Sequence, residues 1–205
     1  MGPGERSPQP AEAAAEVQAV TAPDTGGSGT SGARLADLVR SRMRDVPDFP
    51  KPGVQFKDFS PLLADAHAFA ALVDDVATRY AGRVDVVAGI EARGFILGAA
   101  TAYRMGLGFV QVRKVGKLPP ETYAVDYELE YGTATLEVGS KAFAPGQRVL
   151  VVDDVLATGG TAAAACELVE RAGGVVTAIE CILELSLLHG RDRLPGREVS
   201  AVVTV

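Results

Sequence analysis

The run Val149-Leu150-Val151-Val152-Asp153-Asp154-Val155-Leu156-Ala157-Thr158-Gly159-Gly160-Thr161 constrains this chain more than any other stretch. Its apolar opening reads as a buried strand. Two adjacent acids end the strand, a small glycine- and threonine-bearing turn follows, and an alanine-rich helix begins. Each part suits a sugar phosphate. A helix N-terminus offers free backbone N–H groups and the positive end of a dipole to a phosphate. Gly159 and Gly160 allow close backbone approach. Thr158 and Thr161 add hydroxyl donors. Asp153 and Asp154, at the carboxyl end of a strand, suit ribose hydroxyls or a hydrated Mg²⁺. The run is not a Walker A loop, because no Gly-Lys-Ser/Thr closes it, and the G-x-G-x-x-G dinucleotide spacing is absent.

The rest of the chain supplies a setting for that unit. Its 205 residues are 47 % hydrophobic, enough for one domain with a sizeable core. A formal net charge of −6 argues against a nucleic-acid scaffold. Cys166 and Cys181 lie in apolar stretches and read as buried thiols rather than a disulfide or a zinc site. No apolar run approaches ~20 residues, so no membrane span is expected. Glu12 and Glu16 interrupt the early apolar stretch, so no secretory signal is expected and cytoplasm is the default. Residues 1–32 contain no Leu, Ile, Phe, Tyr or Trp. Such a segment buries too little apolar surface to offset its ordering entropy, so it reads as a disordered tail preceding a domain at 33–205.

Strands and helices alternate from Ala33 onward. A short amphipathic helix carries Leu35, Leu38 and Val39. Asp65 caps a helix over 66–81 with Phe69, Leu72, Val73, Val76 and Tyr80 inward. A strand over 84–88 leads through a turn bearing Glu91 and Arg93 to a helix ending at Gly106. A strand over 109–112 is followed by a basic, breaker-rich stretch with Arg113, Lys114 and Lys117. Residues 123–130 and 133–138 read as hairpin arms around Tyr131-Gly132. This pattern predicts an α/β fold: a twisted parallel sheet flanked by helices, with a small N-terminal hood and a hairpin flap. Arg93, the basic stretch and the acid pair all follow strands, so they should collect at one end of the sheet.

These segments resemble the type I phosphoribosyltransferases and, within them, the adenine phosphoribosyltransferase branch. The resemblance spans Pro47 to about Arg193. It rests on the motif at 149–161, on Phe49–Pro61, on Gly89–Phe95, and on Arg113–Pro119 together with Leu129–Gly132. It implies transfer of a phosphoribosyl group from phosphoribosyl pyrophosphate (PRPP) to adenine, with Mg²⁺ held mainly through PRPP and water, in a homodimer without nucleic-acid or membrane partners. It further implies that Val155, Leu156, Ala157, Thr158, Gly159, Gly160 and Thr161 hold the 5′-phosphate, and that Asp153 and Asp154 hold the ribose hydroxyls. Arg93 would sit in a pyrophosphate loop with unusual backbone at Glu91-Ala92. Arg113, Lys114 and Lys117 would take pyrophosphate oxygens. Phe56 would stack on adenine against Val155 while backbone groups of Gln55 and Lys57 read its edge. Glu130 would handle a proton and Tyr131 would cover the site, with Arg93 and Lys117 as the other catalytic groups. Lys57 stands where many relatives carry Arg, and the N-terminal extension is longer than usual. Two other readings share the motif. One is a transferase for xanthine, hypoxanthine or guanine. The other is a PRPP-sensing regulator, which would need a DNA-reading module that this chain does not display.

Overall fold

The computed structural model describes residues 28–49, 51–129 and 132–205. The elements run α1 (Ser28–Arg42), β1 (Arg44–Pro47), β2 (Gln55–Asp58), α2 (Ser60–Ala64), α3 (Ala66–Tyr80), β3 (Val86–Ile90), α4 (Arg93–Met105), β4 (Gly108–Lys114), β5 (Thr122–Leu129), β6 (Gly132–Gly139), β7 (Arg148–Leu156), α5 (Gly160–Arg171), β8 (Val175–Glu184) and β9 (Val199–Thr204). Two short 3₁₀ turns, Ser186–Leu188 and Gly190–Arg193, separate β8 from β9.

The main sheet has the order β5-β6-β4-β3-β7-β8-β9. Strands β4, β3, β7, β8 and β9 are mutually parallel. The β5–β6 hairpin is antiparallel, and β6 pairs antiparallel with β4 at Arg113↔Glu137 and Lys114↔Leu136. This is the expected twisted parallel sheet with a hairpin flap, and the pairing with β4 adds that the hairpin's base extends the sheet. The sequence shows an alternating hairpin but not its neighbour, since that pairing joins strands distant along the chain. The hood is the antiparallel pair β1–β2.

Side chains of successive strand residues point to opposite faces, and the core follows that rule. Val86, Ala88, Val149 and Val151 pack with α5, through Ala162, Ala165, Leu168 and Val169. Val87, Leu150 and Val152 pack on the other face with Leu72, Val76 and Leu97 of α3 and α4. Burying one such side chain contributes about 1.5–3 kcal/mol, so β3 and β7 are anchored on both faces. Both cysteines are free and buried.

Local signals behave as the sequence pattern predicts. The Asp65 side chain accepts from the His67 and Ala68 N–H groups. Leu72, Val73, Val76 and Tyr80 are buried, whereas Phe69 is half-buried. Helix α1 opens at Ser28, inside the segment whose composition predicts a tail. Residues 1–27 lie outside the described residues. No described helix is long and apolar enough to cross a membrane.

Candidate active site

Strand β7 delivers Asp153 and Asp154 to its carboxyl end, each only 8 % exposed. The Asp154 N–H donates to Asp153 Oδ1 at 2.9 Å. Burial and the neighbouring Asp154 charge push the Asp153 carboxyl well up, while Arg93 pulls the other way. The Arg93 Nε lies 2.5 Å from Asp154 Oδ2. That contact is an ion pair without hydrogen-bond alignment, so Asp154 Oδ2 is a buried acceptor with its hydrogen-bonding capacity unfilled. Such an atom suits a ribose hydroxyl or a metal-bound water.

The turn beyond the acids is shaped for an anion. Gly159 sits in the left-handed region at φ 81° and precedes α5 as its N-cap, with no side-chain cap on the helix. A Cβ there would overlap the Gly190 carbonyl. The first N–H groups of α5 thus lack a side-chain acceptor of their own, the condition for holding phosphate oxygens. Val155, Leu156, Ala157, Thr158, Gly160 and Thr161 complete the same strand–turn–helix unit.

Arg93 joins this unit to the N-terminal segment. Its guanidinium lies 5.3 Å from the Phe56 ring centroid and 5.5 Å from that of the buried Phe59. The loop that carries it contains a cis peptide bond between Glu91 and Ala92, where the resemblance implies unusual backbone. At Gly94, an added Cβ would stand 2.6 Å from the Val152 carbonyl oxygen, so only glycine lets α4 start against the end of β7. Phe56 also meets the Phe49 ring edge-on at 5.1 Å. Gln55 is exposed. The Lys57 ammonium is 2.7 Å from Asp45 in the hood pair. The Lys57 side chain is therefore committed to the hood, which leaves its backbone for any reading of a base.

The basic stretch meets the same end of the sheet from β4. Arg113 Nε donates to Glu91 Oε2 at 3.2 Å, and the Lys114 N–H donates to the same oxygen at 3.2 Å. Burial pushes the Glu91 carboxyl up, but these donors outweigh it and hold it below its ordinary value. Lys114 and Lys117 carry exposed side chains that enter no ion pair among the described residues. Glu130 and Tyr131 lie outside the described residues.

Two supporting acids are not singled out by the sequence pattern. Glu91 matters there only for its backbone, yet its side chain orients Arg113. Glu137 falls in a hairpin arm like any other strand residue, yet it is 4 % exposed. The available signal is its place between the apolar Leu136 and Val138. Among the described residues no cluster of three or more His, Cys, Asp or Glu could hold a metal ion. The paired carboxylates of Asp153 and Asp154 are a donor set that suits a hydrated Mg²⁺.

Residues 61–184 match the family described as the phosphoribosyl transferase domain. The adenine phosphoribosyltransferase of Salinispora tropica is 59 % identical over 183 residues, covering 88 % of this chain and 97 % of that protein. The crystal structure of adenine phosphoribosyltransferase from Thermoanaerobacter pseudethanolicus superposes with a TM-score of 0.80 at 47 % identity, over 83 % of this chain and 99 % of that one. The Saccharomyces cerevisiae enzyme, crystallised with an imino-altritol bisphosphate and adenine, gives 0.79 at 36 % identity over 83 % and 99 %. The chain belongs to the adenine phosphoribosyltransferase family.

Proposed function

We propose that this chain is a purine-salvage enzyme that transfers the phosphoribosyl group of PRPP to adenine, giving AMP and pyrophosphate. The observation that carries the reading is the double contact of Arg93. One guanidinium touches the buried acid pair and covers the Phe56 ring, so the phosphoribosyl half and the base half of the site adjoin. The reading is supported by the yeast relative having been crystallised with both an imino-altritol bisphosphate and adenine.

In the reaction the bond from ribose C1 to the pyrophosphate oxygen breaks and its electrons leave with pyrophosphate. Adenine N9 forms the new bond to C1 and loses a proton. Residues 155–161 hold the 5′-phosphate and Asp153 and Asp154 hold the ribose hydroxyls. Arg93, Arg113, Lys114 and Lys117 stabilise the departing charge. Phe56 stacks on adenine against Val155, and backbone groups of Gln55 and Lys57 read its edge. Glu130 takes or relays the N9 proton, and Tyr131 screens the sugar cation from water. Asp153 and Asp154 would hold a Mg²⁺ through water, and that ion would supply charge neutralisation on pyrophosphate.

We further propose a cytoplasmic homodimer. Ile96 and Tyr103, seven residues apart on one face of α4, are 44 % and 89 % exposed, and Val115 is 57 % exposed. Residues 33–205 form the catalytic unit, and removal of residues 1–32 should leave kcat/KM unchanged. The central test is a purine panel with PRPP and Mg²⁺, scored by pyrophosphate release. Adenine should be favoured at least ~100-fold over hypoxanthine and guanine, because an exocyclic oxygen reverses the hydrogen-bond polarity of the amino group. Comparable kcat/KM for hypoxanthine would overturn the adenine assignment.

A further inference from the structure

Glu137 is a buried carboxylate with no cation to pair with among the described residues. A charge in that position is costly unless hydrogen bonds replace its water. The partners it has are informative. Glu137 Oε1 accepts from the Lys117 N–H at 2.8 Å and from the Leu118 N–H at 2.8 Å. The Thr122 hydroxyl lies 3.4 Å from Oε2. Burial pushes the carboxyl up, but the N–H groups of Leu118, Lys117 and Gly116 outweigh it and hold it below its ordinary value. The acid therefore remains charged and bound to the turn between β4 and β5. The carbonyl of Lys117 is tied as well, accepting from Arg113 Nη1 at 3.3 Å. Both backbone polar groups of Lys117 are thus fastened, while its ammonium enters no ion pair among the described residues. Leu136 and Val138 face the core, so the side chain of Glu137 between them leaves the strand on the opposite face, where it meets the turn. What the carboxylate adds is a fixed path for the turn.

We propose that Glu137 is a positioning residue for pyrophosphate binding: it holds the Gly116–Leu118 turn so that Lys117 is presented in one place. This rests on the reading of Lys117 as a pyrophosphate ligand. Glu91 does the same for the start of the arm, at Arg113 and Lys114, so two acids brace a segment whose cations would otherwise repel one another. Preset geometry matters for a leaving group, since displacement by about 1 Å can cost on the order of 10²-fold.

The experiment compares Glu137→Leu, Glu137→Gln and Glu137→Asp with Lys117→Ala in the full chain. The readouts are amide hydrogen exchange at residues 116–118 and separate KM values for PRPP and adenine. Glu137→Leu should accelerate exchange at Lys117 and Leu118. It should raise the PRPP KM about 10-fold or more and leave the adenine KM unchanged. Glu137→Gln keeps a carbonyl oxygen for both N–H groups and should retain most of the PRPP affinity. Glu137→Asp keeps the charge but is one methylene short, so it should resemble Glu137→Leu. If Glu137→Leu does not fold, the contrast between Gln and Asp decides alone. Unchanged exchange, an unchanged PRPP KM, or equal rises in both KM values would overturn the proposal. Lys117→Ala separates the two levels. If it raises the PRPP KM while the Glu137 variants do not, the bracing role fails and the pyrophosphate assignment stands. If neither moves it, the pyrophosphate assignment has failed too.

Discussion

The turn after β7 and the turn after β4, which the proposed reaction assigns to one substrate, are built on different principles. The first is made from consecutive residues. Strand, acids, glycines and helix follow one another, and the groups proposed to hold an anion are the backbone N–H groups that open α5. Its strand is buried on both faces of the sheet. The second has no helix behind it. Its cations come from exposed side chains, and its shape is imposed by Glu91 from the β3 loop and Glu137 from the far side of a hairpin. A site of the first kind tolerates little change because its own chain is the ligand. A site of the second kind can be loosened from a distance, by residues that never touch substrate.

The largest effect expected on this contrast is at the acid pair. Asp153→Asn combined with Asp154→Asn should weaken PRPP binding by about 10²-fold or more, given ~1.5–3 kcal/mol for each charge-assisted hydrogen bond. Turnover should be lost with it. Calorimetry with PRPP and Mg²⁺ checks this, and wild-type affinity would reduce the acids to structural caps. Glu130→Gln, on the hairpin side, should lower kcat by ~10²-fold while the PRPP KM stays near its original value. A normal kcat with a raised PRPP KM would make Glu130 a ribose-positioning group instead.

Smaller effects test the scaffold. Gly159→Ala forces a side chain into left-handed backbone and onto the Gly190 carbonyl. It should cost about 1–3 kcal/mol of stability and weaken PRPP binding more than adenine binding. A thermal melt and two KM determinations measure both. A silent substitution would mean that the turn can rearrange, which would erase the contrast between the two regions. Last, burial pushes the Cys166 thiol on α5 up to about 11. Its reactive thiolate is therefore scarce at neutral pH and grows as pH rises towards that value. Native protein should resist a thiol reagent at neutral pH, and unfolded protein should react. Rapid native labelling would show that α5 opens more readily than its packing indicates.

Much of the fold and of the phosphate-holding turn is legible in the residues themselves. The N-cap at Asp65, the helix stop at Gly106, the two hairpin arms and the whole strand–turn–helix motif follow from residue types at short spacing. Their physics is local, since capping, periodicity and turn preference act within a few residues. The braces are not legible in the same way. Nothing near Glu137 in the chain announces that it accepts from Lys117 and Leu118. That contact exists because β6 lies beside β4.

Residue types and their short-range spacing set which elements form and which chemical groups each one carries. Burial periodicity selects the strands and helices, and the glycines and acids at 153–160 define an anion-holding turn wherever the unit is placed. Tertiary structure alone decided how those groups meet. It set Arg93 against both Asp154 and Phe56, annexed the hairpin to the sheet, and aimed two isolated acids at the basic arm. Those pairings join residues far apart in the chain. They depend on strand order and on the packing of two helical layers, which are properties of the whole core rather than of any short stretch of it.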